Sequence, residues 1–464
     1  MMKLSLRFIM LVVSLRGGMS TRWIASSALI VGNNLAASVG ESKRSLTSLP
    51  LSKHELRVIQ VQIVHRHGDR TPITPLLDEK YWASELVQAD LLIKVASTTR
   101  ILRDADGTET KHMAGGRGPF GKLTQLGLLQ MVQVGSTLRD ELIAESDDDH
   151  HIDDHGNVHW NRGRLFRPSN PLHPSKMKVF STDFPRTIQS VQGTLVGLFP
   201  DPSDVIEPVQ VDARHTQIMI PDPQPRLSRE QDELERSLSR RPHLRAKEED
   251  LNELAVETTL ALKHLLSDDA FSVSFGIGED HEHSGAHQKP LSWAQLSEIT
   301  KCLQTRNLLP PSITNDMQHA ISQHAAWRWF ENLRHPRLAY LAMNSMVTNM
   351  VHAMQRRVLH LTNDEVKEEA PLYLYSAHDS TLIGLLCAFR LEQPAQWPEY
   401  GSYLKIELIE ATPLESEEGA CHFVRFSLNG KVLRCKWEDS DEPLDMIHLD
   451  MLAEYVATKG AQTP

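Results

Sequence analysis

The sequence lacks a basic excess. Its 464 residues hold 49 Lys and Arg against 60 Asp and Glu, a net charge of −11. Duplex nucleic acid calls for a cationic face, so no nucleic-acid partner is expected. Any anion site must then be local, built from a few placed arginines. Cysteine is scarce as well: Cys302, Cys387, Cys421 and Cys435 form no CxxC pair, which argues against a zinc site. Cys421 and Cys435 flank a hairpin signal over Phe423–Trp437. A two-residue Asn429-Gly430 turn would set Leu428 opposite Lys431 and Cys435 opposite Val424, so the two cysteines do not face each other and read as free thiols. There is no Asn-x-Ser/Thr sequon, which disfavours a heavily glycosylated secreted protein. There are no internal repeats.

Long apolar runs are missing too. Phe8–Leu15 is too short to span a bilayer, and no transmembrane segment is expected in the mature protein. No acidic residue precedes Glu41, whereas Lys3, Arg7, Arg16 and Arg22 are basic. Residues 1–50 therefore read as a targeting presequence. One reading is a secretory signal cleaved after Ser38; the other is an Arg- and Ser-rich organellar presequence.

The rest of the chain carries alternating element signals. Leu56–Val64 and Met177–Ser181 predict strands, as do Leu372–Ala377 and Tyr403–Ile409. Lys122–Ile143, Thr187–Phe199 and Thr381–Phe389 predict helices; Asp183 is the expected N-cap of the second, with Pro185 in its first turn. Pro221–Glu249 reads as a solvated linker or exposed helix, and Asp250–Leu361 is almost entirely helical in pattern. Strand–helix units at both ends with a helical block between them argue an α/β fold, a mixed sheet core flanked by helices with an α-helical cap inserted. The expected core is 51–200 with 362–464, and the expected cap is 201–361.

Three strand-to-helix junctions carry unusual residues. The first is Val64-His65-Arg66-His67-Gly68-Asp69-Arg70-Thr71-Pro72. Gly68 permits a tight turn beside a ligand. Arg66 and Arg70 offer planar donor forks suited to phosphate oxygens. His67 between them suits a nucleophile or a base; the arginines would keep its imidazole neutral and stabilise a transferring phosphoryl group. The second junction, Ser181–Thr187, places Arg186 at a helix start, where free N–H groups also favour anions. The third, Ser376–Thr381, supplies His378 as a donor and Asp379 as a candidate proton donor to a leaving alkoxide. All three fall at carboxyl ends of strands, where open α/β sheets bind ligands.

Each residue also has a plainer reading. Arg186, His378 or Asp379 alone would more often be a cap or a surface group. His65 shares a strand face with His67, so the residues alone leave the nucleophile open between them. The His-rich stretches Asp147–His155 and Glu279–His287 match no standard metal spacing and read as solvated loops. Cys387 reads as a core residue.

In order along the chain, RHGDRTP at 66–72, LTQLGLLQM at 123–131, STDFPRT at 181–187 and His378-Asp379 resemble the histidine acid phosphatase family. Ala114-Gly115-Gly116, LYLYSAHD at 372–379, WPEY at 397–400 and Pro443-Leu444-Asp445-Met446 are similar to its mitochondrial lysophosphatidic acid phosphatase branch. The resemblance covers most of the chain after residue 56. It implies His67 as the nucleophile that becomes phosphohistidine. It implies Arg66, Arg70, Arg186 and His378 as phosphate ligands, Asp379 as proton donor, no metal or other cofactor, and activity in acid. It also implies a small phosphate monoester as partner, a lysophospholipid among the candidates. A mitochondrial location follows from the branch, with the secretory pathway or lysosome as the alternative. His65 departs from the pattern, which leads one to expect an apolar or aromatic residue there. The competing functions are a phytase or broad-specificity acid phosphatase and, in another class, an inactive phosphate- or phosphoinositide-binding module.

Overall fold

β-Branched residues dominate the first predicted strand, and it forms as β1 (His54–Arg66). The computed structural model describes residues 54–461 except 104–116, 149, 161–162, 202–204, 206, 224–227, 267–289, 364, 366, 395, 416–418 and 437–441. The presequence expected over residues 1–50 and the His-rich stretch at 279–287 lie outside the described residues.

After β1 come α1 (Glu79–Ser84), α2 (Ala89–Ala96), β2 (Thr99–Leu102) and α3 (Gln125–Leu142). The hairpin β3 (His150–Ile152) and β4 (Val158–Trp160) precedes β5 (Met177–Ser181), α4 (Pro185–Leu198) and β6 (Val209–Asp212). A helical run follows: α5 (Arg229–Leu238), α6 (Pro242–Asp250), α7 (Asn252–Leu262), α8 (Trp293–Gln304), α9 (Asn315–Leu333) and α10 (Pro336–Thr362). Then come β7 (Leu372–Ala377), α11 (Asp379–Ala388), β8 (Tyr403–Pro413), β9 (Cys421–Leu428), β10 (Lys431–Leu433), β11 (Met446–His448) and α12 (Leu449–Ala461).

The sheet runs β10-β9-β8-β1-β7-β5-β6-β2, with β11 on β9 and β4 on the start of β1. β1, β7, β5, β6 and β2 are parallel, and β8 and β9 continue antiparallel from β1. It is the mixed sheet that the alternating signals imply. β1 lies at the centre, so both of its faces are buried and even its glutamines point inward. Gln60 and Gln62 are fully buried, and their amides donate to Ala370 O at 3.0 Å and Met350 O at 2.8 Å. Those bonds satisfy groups whose burial would otherwise be costly. The methionine-rich face of α10 packs with α11 and α12 against the sheet. α3 and α4 cross at small residues: a Cβ on Gly135 would stand 2.1 Å from Thr194 O, and one on Gly197 2.1 Å from Val132 O.

Several local expectations change. Phe184, not Asp183, precedes α4 as its N-cap, with no side-chain cap bond. Pro185 opens that helix two residues earlier than the apolar pattern suggests, and the Asp183 carboxylate meets Arg103 Nε at 2.8 Å instead. Leu428 does face Lys431, but β10 ends at Leu433. Cys435 therefore leaves the hairpin to bridge Leu391 and Leu444, while Val424 pairs with Ile447 of β11. β6 falls within the stretch expected to be helical; four residues are too few for their period to be read. α5 and α6 form where a linker was the competing expectation.

The helical run has an apolar cluster of its own. Leu262, Leu296, Ile299, Leu303 and Ile321 pack with Leu76, Trp82 and Phe120 from the segments that follow β1 and β2. Among the described residues no helix is long and apolar enough to cross a membrane.

Candidate active site

Three strand ends meet at one edge of the sheet. Arg66 at the end of β1 pairs with Ala377 at the end of β7, and Ser181 of β5 pairs with Ser376 of β7. Parallel pairing makes all three carboxyl ends point the same way; α4 and α11 start there, whereas β1 runs into a loop before α1, so the first expected strand-to-helix junction is a strand-to-loop one. Arg66, His67, Arg70, Arg186, His378 and Asp379 are brought together by this arrangement.

The turn after β1 is held from several sides. His67 N donates to Ala377 O (3.1 Å) and Gly401 N donates to His67 O (3.2 Å). Gly68 N donates to Ser190 Oγ of α4 (3.1 Å). A Cβ on Gly68 would stand 2.2 Å from the carbonyl oxygen of Gly127 in the first turn of α3, so only glycine fits. Asp69 is fully buried beneath the turn. Its Oδ2 accepts from Thr124 Oγ1 at 2.6 Å and from Arg306 Nη2 at 2.7 Å.

The two histidines now separate. His67 Nδ1 lies 2.8 Å from Gly68 O. A carbonyl only accepts, so Nδ1 carries the hydrogen and the lone pair of the neutral ring is on Nε2. Burial pushes the His67 pKa well below its usual value, and Arg186, Arg66, His378 and Arg70 push it further. The ring stays a neutral base or nucleophile at any moderate pH. His65 is buried with Nδ1 against Arg66 O at 3.1 Å, and burial lowers its pKa to about 4. No arginine charge acts on it as the guanidiniums act on His67, and it sits in the core as a neutral ring.

Three guanidiniums surround His67. Arg66 Nη2 is 2.8 Å from Asp379 Oδ2, its Nη1 is 2.5 Å from Pro398 O, and its plane lies 4.1 Å from the centre of the Tyr400 ring. Arg70 Nη1 pairs with Glu298 Oε2 at 2.9 Å. Arg186, in the first turn of α4, lies over Phe184; burial first, then Arg70, lower its pKa to about 9. Three guanidiniums against the carboxylates of Glu298 and Asp379 leave the cradle net positive, and the N-termini of α4 and α11 add to that field.

His378 is fixed by a hydroxyl relay. Thr187 Oγ1 donates to Thr182 O or Phe184 O (2.8 and 2.9 Å), so it accepts from Thr182 Oγ1 at 2.9 Å. The one hydroxyl hydrogen of Thr182 is thereby used, and His378 Nε2, 3.0 Å away, must donate to it. Burial, then Arg186, push the His378 pKa well below its usual value against the pull of Asp379, so the resting ring is neutral. Asp379 begins α11. Burial raises its pKa, but Arg66, the Trp397 indole N–H at 2.7 Å and His378 outweigh this and hold the carboxyl below its usual range.

A cavity of about 300 Å³ opens on Arg66, Arg70 and Asp379. Ile73, Ala294, Trp329, Trp397 and Pro398 supply apolar wall, and Lys301 is paired with Glu399 at 2.9 Å. Sequence reasoning missed Glu298, Thr182 and the contacts of Trp397 and Tyr400. WPEY at 397–400 was legible as a motif but not as a site. Glu298 left no local signal, since one glutamate on an amphipathic helix is ordinary.

Other expected features lie elsewhere. Cys387 is buried in the main core. In the first His-rich stretch Asp153 Oδ2 pairs with His159 Nε2 at 2.9 Å. Among the described residues no group of three or more His, Cys, Asp or Glu is placed to hold a metal ion.

Residues 57–429 match the histidine phosphatase superfamily (branch 2). The chain is 25% identical to Counting factor 60 of Dictyostelium discoideum over 426 residues, 87% of each chain. It is 24% identical to human lysophosphatidic acid phosphatase type 6 over 404 residues, 82% of this chain and 79% of that one. The phytase of Hafnia alvei, solved with myo-inositol hexakis sulphate, shares the fold: TM-score 0.56 at 11% identity, over 88% of this chain and 99% of that one. The chain belongs to the histidine phosphatase superfamily, branch 2, and is a phosphoric monoester hydrolase of that family.

Proposed function

We propose that the chain is an acid phosphatase acting through a phosphohistidine on a monoester with an apolar, lysophosphatidate-like alcohol. The observation that carries the mechanism is the hydrogen bond from His67 Nδ1 to Gly68 O, which leaves the Nε2 lone pair among three guanidiniums. Arg66, Arg70, Arg186 and His378 bind the phosphoryl oxygens. His67 Nε2 attacks phosphorus, the ester P–O bond breaks, and the leaving oxygen takes a proton from Asp379. Water then attacks the phosphohistidine and gives its proton to Asp379, the P–N bond breaks, and phosphate departs. Arg66 holds the resting Asp379 as a carboxylate. Asp379 must therefore take up a proton before the ester bond breaks, so turnover falls as pH rises.

The cavity wall supports the choice of alcohol. Polyphosphorylated inositol would place several further anions beyond the cradle. Among the described residues Lys301 is the one basic side chain on the wall outside the cradle, and it is already paired. Ile73, Trp329 and Trp397 instead offer apolar contact, and a relative of similar length is a lysophosphatidic acid phosphatase. The test compares kcat/KM for lysophosphatidate, inositol hexakisphosphate and a small aryl phosphate. Lysophosphatidate should lead, and Trp329→Ala should lower its kcat/KM selectively. A preference for the hexakisphosphate would overturn the choice of alcohol. Labelled phosphate should be trapped on the protein in acid and be absent from His67→Ala; turnover by that variant would remove the mechanism.

A further inference from the structure

The loop after His67 and the helix α8 meet through two buried ion pairs of opposite sense. Asp69 and Arg70 are adjacent in the loop. Arg306, just past the end of α8, reaches Asp69 Oδ2 at 2.7 Å, and Glu298 of α8 reaches Arg70 Nη1 at 2.9 Å. Side-chain exposure is 5% and 0% in the first pair, 6% and 14% in the second. Between them Cys302 Sγ lies 3.5 Å from Arg70 O. Glu298, Cys302 and Arg306 follow four-residue spacing, so one helical stripe covers the loop. Sliding α8 by one turn would set like charges together or leave buried charge unpaired, so the contact specifies its own register.

Glu298 does more than neutralise. Its Oε2 also accepts from Ile73 N at 3.0 Å and its Oε1 from Thr74 N at 2.9 Å. The carboxylate is thus locked from both sides before it meets Arg70. A guanidinium on a long stem has considerable rotamer freedom, and Arg70 stands close enough to Arg186 to be repelled by it. A fixed anion behind it opposes both effects and leaves the rest of the fork for substrate.

We infer that Glu298 is a positioning residue for phosphate binding: clamped by Ile73 N and Thr74 N, it holds Arg70 in the cradle and makes α8 part of the phosphate site. The same helix presents Ala294, Gln295, Ser297 and Lys301 to the cavity, so the wall for the leaving group and the support of Arg70 are one element. The inference rests on Arg70 binding the phosphoryl group, and its test separates the two.

The experiment measures competitive inhibition by inorganic phosphate, and KM and kcat for an aryl phosphate, in Glu298→Gln, Arg70→Ala and the double variant. Glu298→Gln should raise the phosphate Ki and lower kcat/KM on the order of tenfold or more, as expected for a misplaced binding group. Circular dichroism should match the wild type, and the glutamine should add nothing in the Arg70→Ala background. A wild-type Ki in Glu298→Gln beside a weakened Arg70→Ala overturns the positioning role and leaves the cradle standing. An unchanged Ki in Arg70→Ala removes the cradle reading and this inference with it. An equal loss in both backgrounds makes Glu298 merely structural. Should the glutamine variant not fold, Glu298→Asp keeps the charge but is one methylene short; it must show the same loss of phosphate affinity, and a wild-type Ki there also overturns the role.

Discussion

Trp397→Phe removes the indole N–H beside the proton donor while keeping an aromatic ring in the cavity wall. The indole N–H donates to Asp379 Oδ2 at 2.7 Å, one of the contacts that keep the carboxyl below its usual range. A hydrogen bond to a charged group contributes about 1.5–3 kcal/mol. Losing the bond should therefore raise the Asp379 pKa. The sign follows from which form is stabilised: the indole favours the carboxylate, so its removal lets the acid survive to higher pH. The alkaline limb of kcat/KM, which reports the free enzyme, should move upward for an alkyl phosphate, whose alkoxide needs a proton to leave. For p-nitrophenyl phosphate the phenolate leaves unaided, and the limb should stay near its wild-type position. The assay is a pair of pH profiles on each substrate. Superimposable alkyl profiles would show that Asp379 does not protonate the leaving group. An equal displacement with both substrates would place the titration elsewhere.

Arg306→Met removes the charged partner of the fully buried Asp69. Breaking a buried pair from one side costs about 3–5 kcal/mol, so chemical denaturation should show a lower midpoint, with much of the loss recovered in Asp69→Asn/Arg306→Met. Gly68→Ala would drive a Cβ to 2.2 Å from Gly127 O, backbone against backbone. Overpacking of this kind costs about 1–3 kcal/mol or more, and calorimetry should report a lower Tm together with slower turnover as His67 shifts.

Much of the site was legible because its signals are local. Arg-His-Gly, STDFPR and His-Asp each follow a short apolar strand signal, the last two at helix starts, and strand ends are where an α/β sheet collects ligands. The central strand was legible from Leu56–Val64 even with its two glutamines, because their partners on α10 and beside β7 do not disturb its composition. The Asp183 cap was misjudged for an equally local reason: Pro185 tolerates the first helical turn, so the helix begins before its apolar periodicity does. The turn of Cys435 toward Leu391 depends on a three-residue strand and on β11, neither of which has a period long enough to read.

By itself the sequence determined the alternation of strands and helices and the three segments that bear the chemistry. These follow from side-chain type and short-range spacing. Only the tertiary structure separated the surroundings of His65 and His67: both rings set Nδ1 against a carbonyl, but the guanidiniums act on His67. It also decided that Glu298 and Arg306, more than two hundred residues along the chain, lock the loop of Asp69 and Arg70. The apolar cavity is likewise tertiary, since Ile73, Trp329 and Trp397 meet only when the helical run folds back over the sheet edge. Contacts at that separation depend on how whole elements pack, and periodicity shows which face is buried but not which partner buries it.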